Sequence, residues 1–288
     1  MQNDTDSSER VTYLIASYNR GAYVGDCLRS LHRQTDPEWL AVVVDDASTD
    51  DSVPIITRHL EERIRLRIND RNIGYIGTLK RLIDEASTDI VAILDADDAL
   101  SPDATERLRQ AYARDRLAQF VHSRFAICDA ALTPVGDAHG AAIPVGSTAL
   151  RDGVVGHILS FRRTAYHRTS GLDDTMTYAE DRDLVYKLEE VTRPVFIDAV
   201  LYRYRQLPES QSSDPIKREI GARNTRRARR VALARRHLSG VRRLGYEWLF
   251  WADYLAYSNR HPAVVRRLAR SLVRAARLVA RPCDPRGR

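Results

Sequence analysis

The sequence predicts an α/β fold, a mostly parallel sheet flanked by helices, and three observations predict it. Short apolar runs alternate with helix-patterned segments through the first hundred residues. One of these runs, Ile90 to Leu94, is apolar without a break, as in a strand buried on both faces. Three runs end in polar or acidic clusters, and in open α/β sheets ligands bind at the C-terminal ends of the strands.

The elements follow in order. Residues 1–10 read as a disordered lead. Val11 to Ile15 is a first strand, ending in the polar turn Ala16 to Gly21. A helix follows through Tyr23, Leu28 and Leu31 and stops before Pro37. Trp39 to Val44 is a second buried strand, ending in Asp45-Asp46-Ala47-Ser48-Thr49-Asp50. A helix is expected over about Val53 to Arg63, a strand over Ile64 to Ile68, a turn at Asn72-Ile73-Gly74, and a helix from there to Ala86. The Ile90 strand then runs into Asp95, Asp97 and Asp98.

Past Pro102 a helix is expected to about Arg114 and a strand within Leu117 to Asp129. Thr133 to Gly153, rich in Gly, Pro and Ala, reads as a loop. Ala179-Glu180-Asp181 opens a helix with Leu184, Val185, Leu188 and Val191 on one face, stopped by Pro194. Val195 to Ile197 and Val200 to Arg205 read as two closing strands. The body spans 11–213, and residues 214–288 form a basic helical C-terminal region with helices over Pro215 to Arg236 and Pro262 to Arg281.

Composition narrows the function classes. The three cysteines, Cys27, Cys128 and Cys283, lie far apart, so neither a disulfide framework nor a zinc site is suggested. The polar N-terminus lacks the order of a signal peptide, and no run of about 18 apolar residues exists, so a cytoplasmic protein is expected. No Gly-x-Gly-x-x-Gly follows the first strand and no P-loop sequence exists, so a nucleotide would be held by side chains and a metal.

Charge is unevenly distributed. The net +6 divides into a C-terminal region, 214–288, with 20 Lys and Arg against 5 Asp and Glu, and a remainder with 25 against 34. The basic region points to an anionic partner. An Arg-lined helix can lie on an anionic membrane, and the aromatic segment Tyr246 to Tyr257 would suit a headgroup layer. The region can equally pack on the body with solvated arginines. Nucleic acid is not expected, because the aromatics cluster away from the arginines.

Two acidic clusters carry candidate chemistry, each with a plainer reading. Asp95, Asp97 and Asp98 repel one another unless a divalent cation such as Mg²⁺ or Mn²⁺ sits among them; they can also form a loop that caps the helix near Pro102. Glu180 and Asp181 can serve catalysis or simply answer the dipole of their helix.

Taken together, the motifs resemble those of glycosyltransferase family 2. They are Ser17-Tyr18-Asn19, Asp45-Asp46-Ala47-Ser48-Thr49-Asp50, Asn72-x-Gly74, Leu94-Asp95-Ala96-Asp97-Asp98 with Pro102 behind it, and Gly171-Leu172-Asp173 followed by Glu180-Asp181. The resemblance covers Val11 to about Ser213. It implies the GT-A fold, a Rossmann-like nucleotide-diphospho-sugar transferase fold, and inverting transfer from a nucleoside-diphosphate sugar to a hydroxyl acceptor: a saccharide, a lipid-linked glycan or a small natural product.

It also implies roles. Tyr18 and Asp46 would contact the nucleobase, Ser17, Asn19 and Asn72 the nucleotide pocket, and Lys80 the diphosphate. Asp95 would face the ribose or a metal-bound water, with Ala96 between it and Asp97, the ligand of Mg²⁺ or Mn²⁺. Asp181 would be the catalytic base, with Asp98 and Glu180 on the acceptor side. One departure stands out. Where the family often carries Tyr-Arg-x-His, this sequence reads Tyr204-Arg205-Gln206-Leu207, without the histidine. A phosphoribosyltransferase using the Asp45-Asp46 loop would not explain the later acidic clusters. A non-catalytic scaffold bound to membrane through its tail would leave those clusters idle.

Overall fold

The computed structural model describes residues 10–207, 214–237, 244–248, 250 and 267–272. Residues 1–9 of the expected lead, most of Pro262 to Arg281, Leu249 and Trp251 to Tyr257 of the aromatic segment, and Cys283 lie outside the described residues. Two compact units are formed. One comprises residues up to Ala142, Val155–Ser170 and Val191–Gln206; the other comprises Ile143–Val154, Gly171–Glu190 and the chain from Leu207.

The first unit holds an eight-stranded sheet in the order β3-β2-β1-β4-β7-β6-β8-β5. Its strands are β1 (Val11–Ser17), β2 (Trp39–Asp45), β3 (Ile64–Ile68), β4 (Ile90–Ile93), β5 (Ala99–Leu100), β6 (Phe120–Cys128), β7 (Leu159–Arg162) and β8 (Val195–Arg205). β1 to β4 pair in parallel, with β1 central between β2 and β4. The polar ends of β1, β2 and β4 therefore fall on one edge. β7 is antiparallel to β4 and β6, and β5 is antiparallel to β8, so the far half of the sheet is mixed.

Alternation along the strands builds the core. Val11, Tyr13 and Ile15 of β1, Ala41 and Val43 of β2, and Ile90 and Ala92 of β4 share one cluster with the buried face of α1 (Gly21–His32) and with Leu108 and Tyr112 of α4 (Ala104–Arg114). The α1 contributions, Val24, Cys27, Leu28 and Leu31, follow helical spacing. α3 (Gly74–Glu85) packs on β1 and β2 through Ile76, Leu79, Leu82 and Ile83.

Three expectations are corrected. The helix after β2, α2 (Ser52–Thr57), stops well short of Arg63, because Leu60 is exposed and no buried face continues past Ile56. The two closing strands are one, β8, with register irregularities opposite Ser123 to Phe125 that let exposed Asp198 interrupt the apolar pattern without ending the strand. Within the expected loop, Pro134 and His139 are bridged to β6, and α5 (Ala149–Asp152) forms at its end.

The second unit contains α7 (Glu180–Val191, all but its last residue) and α8 (Pro215–Arg235). Asp214 caps α8 by accepting from Ile216 N and Lys217 N, with Pro215 at the first turn. Gly221 meets Tyr178 so closely that an added Cβ would stand 2.9 Å from the Tyr178 carbonyl oxygen. Arg235 at the end of α8 and Arg236 just past it are paired with carboxylates of α7, Glu190 and Glu189 respectively, both at 2.8 Å. Among the described residues no helix is long and apolar enough to cross a membrane.

Candidate active site

The loops after β1 and β2 are tied together by short polar side chains. Asn19 takes a left-handed φ of 51°, which asparagine tolerates. Its N–H donates to Ser48 Oγ (2.9 Å), and its Oδ1 accepts from Thr49 N (2.9 Å). Asp45 is fully buried and folds the β2 loop by accepting from Ser48 N (2.8 Å) and Ser48 Oγ (2.6 Å). Ser17 ends β1 buried, and its Oγ has no hydrogen-bond partner among the described residues. Beside it, Tyr18 is 45% exposed.

Asp46 sits under the N-terminus of α3. Oδ1 accepts from Asn69 Nδ2 (2.7 Å) and Ile73 N (2.8 Å), and Oδ2 accepts from Gly74 N (2.9 Å). A carboxylate answering a helix N-terminus is favoured by the unsatisfied N–H groups there. Asn72 is exposed and its Oδ1 also accepts from Gly74 N (3.0 Å). Lys80 lies partly buried two turns along the same helix.

The turn after β4 divides its three carboxylates. Asp98 is 1% exposed; Oδ2 accepts from Tyr202 Oη (2.7 Å) and Oδ1 from Arg205 N (2.7 Å). Burial, and then the nearby charges of Asp95 and Asp97, push the Asp98 carboxyl well above the usual carboxylate range. Asp95 is partly exposed and accepts from Tyr75 Oη (3.0 Å). Asp97 is also partly exposed, and its Oδ2 accepts from Arg20 Nε (3.1 Å). Ala96 is buried in the core cluster. The polar ends of β1, β2 and β4 thus meet through hydrogen bonds, as parallel pairing requires.

In the second unit, the first turn of α7 sorts its acids the same way. Glu180 is 8% exposed and Asp183 2% exposed. Asp183 pairs with Lys187 one turn later at 2.6 Å, and Lys187 also donates to Gly171 O (2.6 Å). Asp181 has a side chain 57% exposed, with Arg182 at 4.0 Å.

Among the described residues no group of three or more His, Cys, Asp or Glu is arranged to hold a metal ion. The donor set nonetheless suits a cation shared with a ligand. Asp95 and Asp97 offer two accessible hard-oxygen donors, and Mg²⁺ is typically held by one or two carboxylates together with substrate phosphates and water. Sequence reasoning missed Arg20, Tyr75, Tyr202 and Arg205, all of which contact this turn. Arg20 directly follows the first motif, inside the polar turn Ala16 to Gly21, and Arg205 ends the expected last strand, where the family histidine is missing.

Residues 12–168 match the model of a family described as glycosyl transferase family 2. A chondroitin synthase of Escherichia coli is 25% identical over 193 residues, covering 67% of this chain and 28% of that protein. A hyaluronan synthase of Pasteurella multocida is 26% identical over 200 residues, 67% of this chain and 20% of that protein. The chain therefore spans under a third of the length of these curated relatives. Among solved structures, S. aureus TarS 1-349 in complex with UDP-GlcNAc is similar with a TM-score of 0.62 and 16% identity, over 93% of this chain and 87% of that one. The mannosyltransferase PcManGT from Pyrobaculum calidifontis, in complex with GDP-Man and Mn²⁺, is similar with a TM-score of 0.59 and 18% identity, over 95% and 76%. At such identities the structural likeness shows the fold.

Proposed function

This chain belongs to glycosyltransferase family 2, and we propose that it is an inverting glycosyltransferase that moves a sugar from a nucleoside-diphosphate sugar to an acceptor hydroxyl with the help of Mg²⁺ or Mn²⁺. The observation that carries the reading is the division of labour after β4. Asp98 is consumed by the scaffold, whereas Asp95 and Asp97 remain partly exposed beside the loops that end β1 and β2.

Each residue then has a task. Tyr18, exposed at the strand end, stacks on the nucleobase, and Asp46 hydrogen-bonds it through what its α3 contacts leave of Oδ2. Ser17, Asn19 and Asn72 line the nucleotide pocket, and the unpartnered Ser17 hydroxyl suits a ligand hydrogen bond. Asp95 would face the ribose or a metal-bound water, with Ala96 between it and Asp97, which would hold the cation. A bound divalent cation would supply Lewis-acid stabilisation of charge on the departing diphosphate. Lys80 reaches toward the same diphosphate. Asp181 takes the proton from the acceptor hydroxyl as it attacks. Asp98 and Glu180, both buried, are assigned to the acceptor side.

The structural relatives bound to UDP-GlcNAc and GDP-Man favour a UDP- or GDP-sugar donor. The names of the sequence relatives favour a saccharide acceptor over a lipid-linked glycan or small natural product. Peripheral contact with an anionic membrane, on the inner face, remains the role proposed for the basic C-terminal region. A thermal-shift panel of UDP-, GDP- and dTDP-sugars with and without Mn²⁺ tests the core reading. One donor should stabilise the protein in a metal-dependent way, and Asp97→Ala should remove that metal dependence. Indifference of the parent protein to every donor in the presence of metal would favour a non-catalytic scaffold.

A further inference from the structure

The last turn of β8 grips the Asp95–Asp98 turn at several points. Arg205 is 3% exposed. Its Nε donates to the Asp97 carbonyl (2.6 Å), its guanidinium donates to the Ala130 carbonyl and to Asp26 Oδ2 (2.8 Å), and the guanidinium carbon lies 4.9 Å from the Tyr23 ring centroid. Its own N–H donates to Asp98 Oδ1. Three residues earlier, the Tyr202 hydroxyl accepts from Asp95 N (3.1 Å) while donating to Asp98 Oδ2. β8 thus holds the backbone of Asp95, the side chain of Asp98 and the carbonyl of Asp97, and leaves the Asp95 and Asp97 carboxylates to other partners.

A guanidinium taken out of water is retained only where its donors are met in fixed geometry. This one spends two of its donors on main-chain carbonyls, one of them the carbonyl of the candidate metal ligand itself. Fixing a peptide carbonyl fixes the direction in which its residue's side chain leaves the chain. Such support is what a ligand constellation needs, since a small misplacement of a first-contact group costs much of its effect.

We propose that Arg205 and Tyr202 are positioning residues of the donor site. They preset the Asp95 and Asp97 carboxylates so that a divalent cation and a diphosphate are taken up without reordering the turn. The proposal rests on the donor-site reading above. It also accounts for a strand end that places a buried arginine and a buried tyrosine where apolar residues would pack more simply. Neither residue touches the ligand; each acts through Asp95, Asp97 or Asp98.

The test measures Mn²⁺ binding to the full chain by loss of the free Mn²⁺ paramagnetic resonance signal, with and without UDP, for the parent, Arg205→Lys, Arg205→Met and Tyr202→Phe. Amide hydrogen exchange over residues 94–99 is read in parallel. Arg205→Met should weaken UDP-supported Mn²⁺ binding at least tenfold, with Arg205→Lys recovering part of the loss and metal-free UDP binding within twofold of the parent. Tyr202→Phe, which removes one oxygen atom and keeps the ring, should deprotect the Asp95 amide and weaken Mn²⁺ binding about threefold. It keeps the question open to measurement should Arg205→Met fail to fold. A folded Tyr202→Phe protein with parental Mn²⁺ affinity and parental Asp95 protection would overturn the proposal. Equal losses of metal-dependent and metal-free UDP binding would also overturn it, since that pattern marks general destabilisation. A parent protein that binds no Mn²⁺ at all would sink the donor-site reading first, and the positioning role with it.

Discussion

Two acidic clusters can be set side by side, the turn after β4 in the first unit and the opening turn of α7 in the second. Each spends its buried carboxylates on the scaffold. Asp98 holds Tyr202 and Arg205 N, and Asp183 holds Lys187. Each keeps another carboxylate open, partly in Asp97 and largely in Asp181. They differ in how the open group is supported. Asp97 is braced by Arg20 on its carboxylate and Arg205 on its carbonyl, as would suit the metal ligand proposed above. Asp181 rides a helix turn whose anchoring lies in its neighbours, as would suit the general base proposed above. Acid count alone does not mark function; exposure set against internal partners does.

Three changes break or sharpen this contrast. The largest effect is expected at Asp181. Asp181→Asn should lower turnover about 10²- to 10⁴-fold, the range for a lost general base. Nucleotide-sugar affinity by calorimetry and the melting temperature should stay near parental, because the side chain is exposed. Normal turnover in that variant would remove Asp181 from the mechanism.

Next comes the buried pair two residues on. Lys187→Met leaves Asp183 as an inadequately paired charge at 2% exposure, which should cost about 3–5 kcal/mol of stability by urea denaturation. A loss comparable to that of an exposed pair would mean that Asp183 is solvated after all, and the contrast with Asp181 would fade.

The third change removes a background that could be mistaken for either cluster. His122 on β6 is fully buried between Phe120 and Phe196, and neither ring nitrogen has a hydrogen-bond partner among the described residues. Burial lowers its pKa from 6.5 to about 4. The unfolded chain therefore takes up a proton that the folded chain refuses between those values. The associated stability is whole above pH 6.5 and is lost as pH falls toward 4, on the order of 3 kcal/mol in all. His122→Phe should flatten that slope in denaturation curves taken from pH 7 to 4.5. An unchanged slope would assign the acid sensitivity to carboxylates instead.

Local signals located much of the fold. The strands β1, β2, β3 and β4 and the helices α1 and α3 sit within a residue or two of where apolar runs and helical spacing put them. The motifs that follow β1, β2 and β4 fell where parallel strand ends bring them together. What was illegible depends on pairing between distant segments. β5 has two residues and β7 four, too few for any periodicity, and each is a strand only because β8, β4 or β6 lies beside it. β8 looked divided because a bulge lets Asp198 face outward mid-strand.

The sequence by itself determined that acids would stand at the ends of parallel strands, because hydrophobic periodicity and turn chemistry are written in neighbouring residues. Only the tertiary structure decided which of those acids are held by the protein and which are left accessible. Asp98 and Asp97 are adjacent and chemically identical, yet Asp98 meets Tyr202 and Arg205 from more than a hundred residues away. Desolvation and hydrogen-bond partners are set by what the folded chain brings alongside, and neither is encoded in the spacing of the acids themselves.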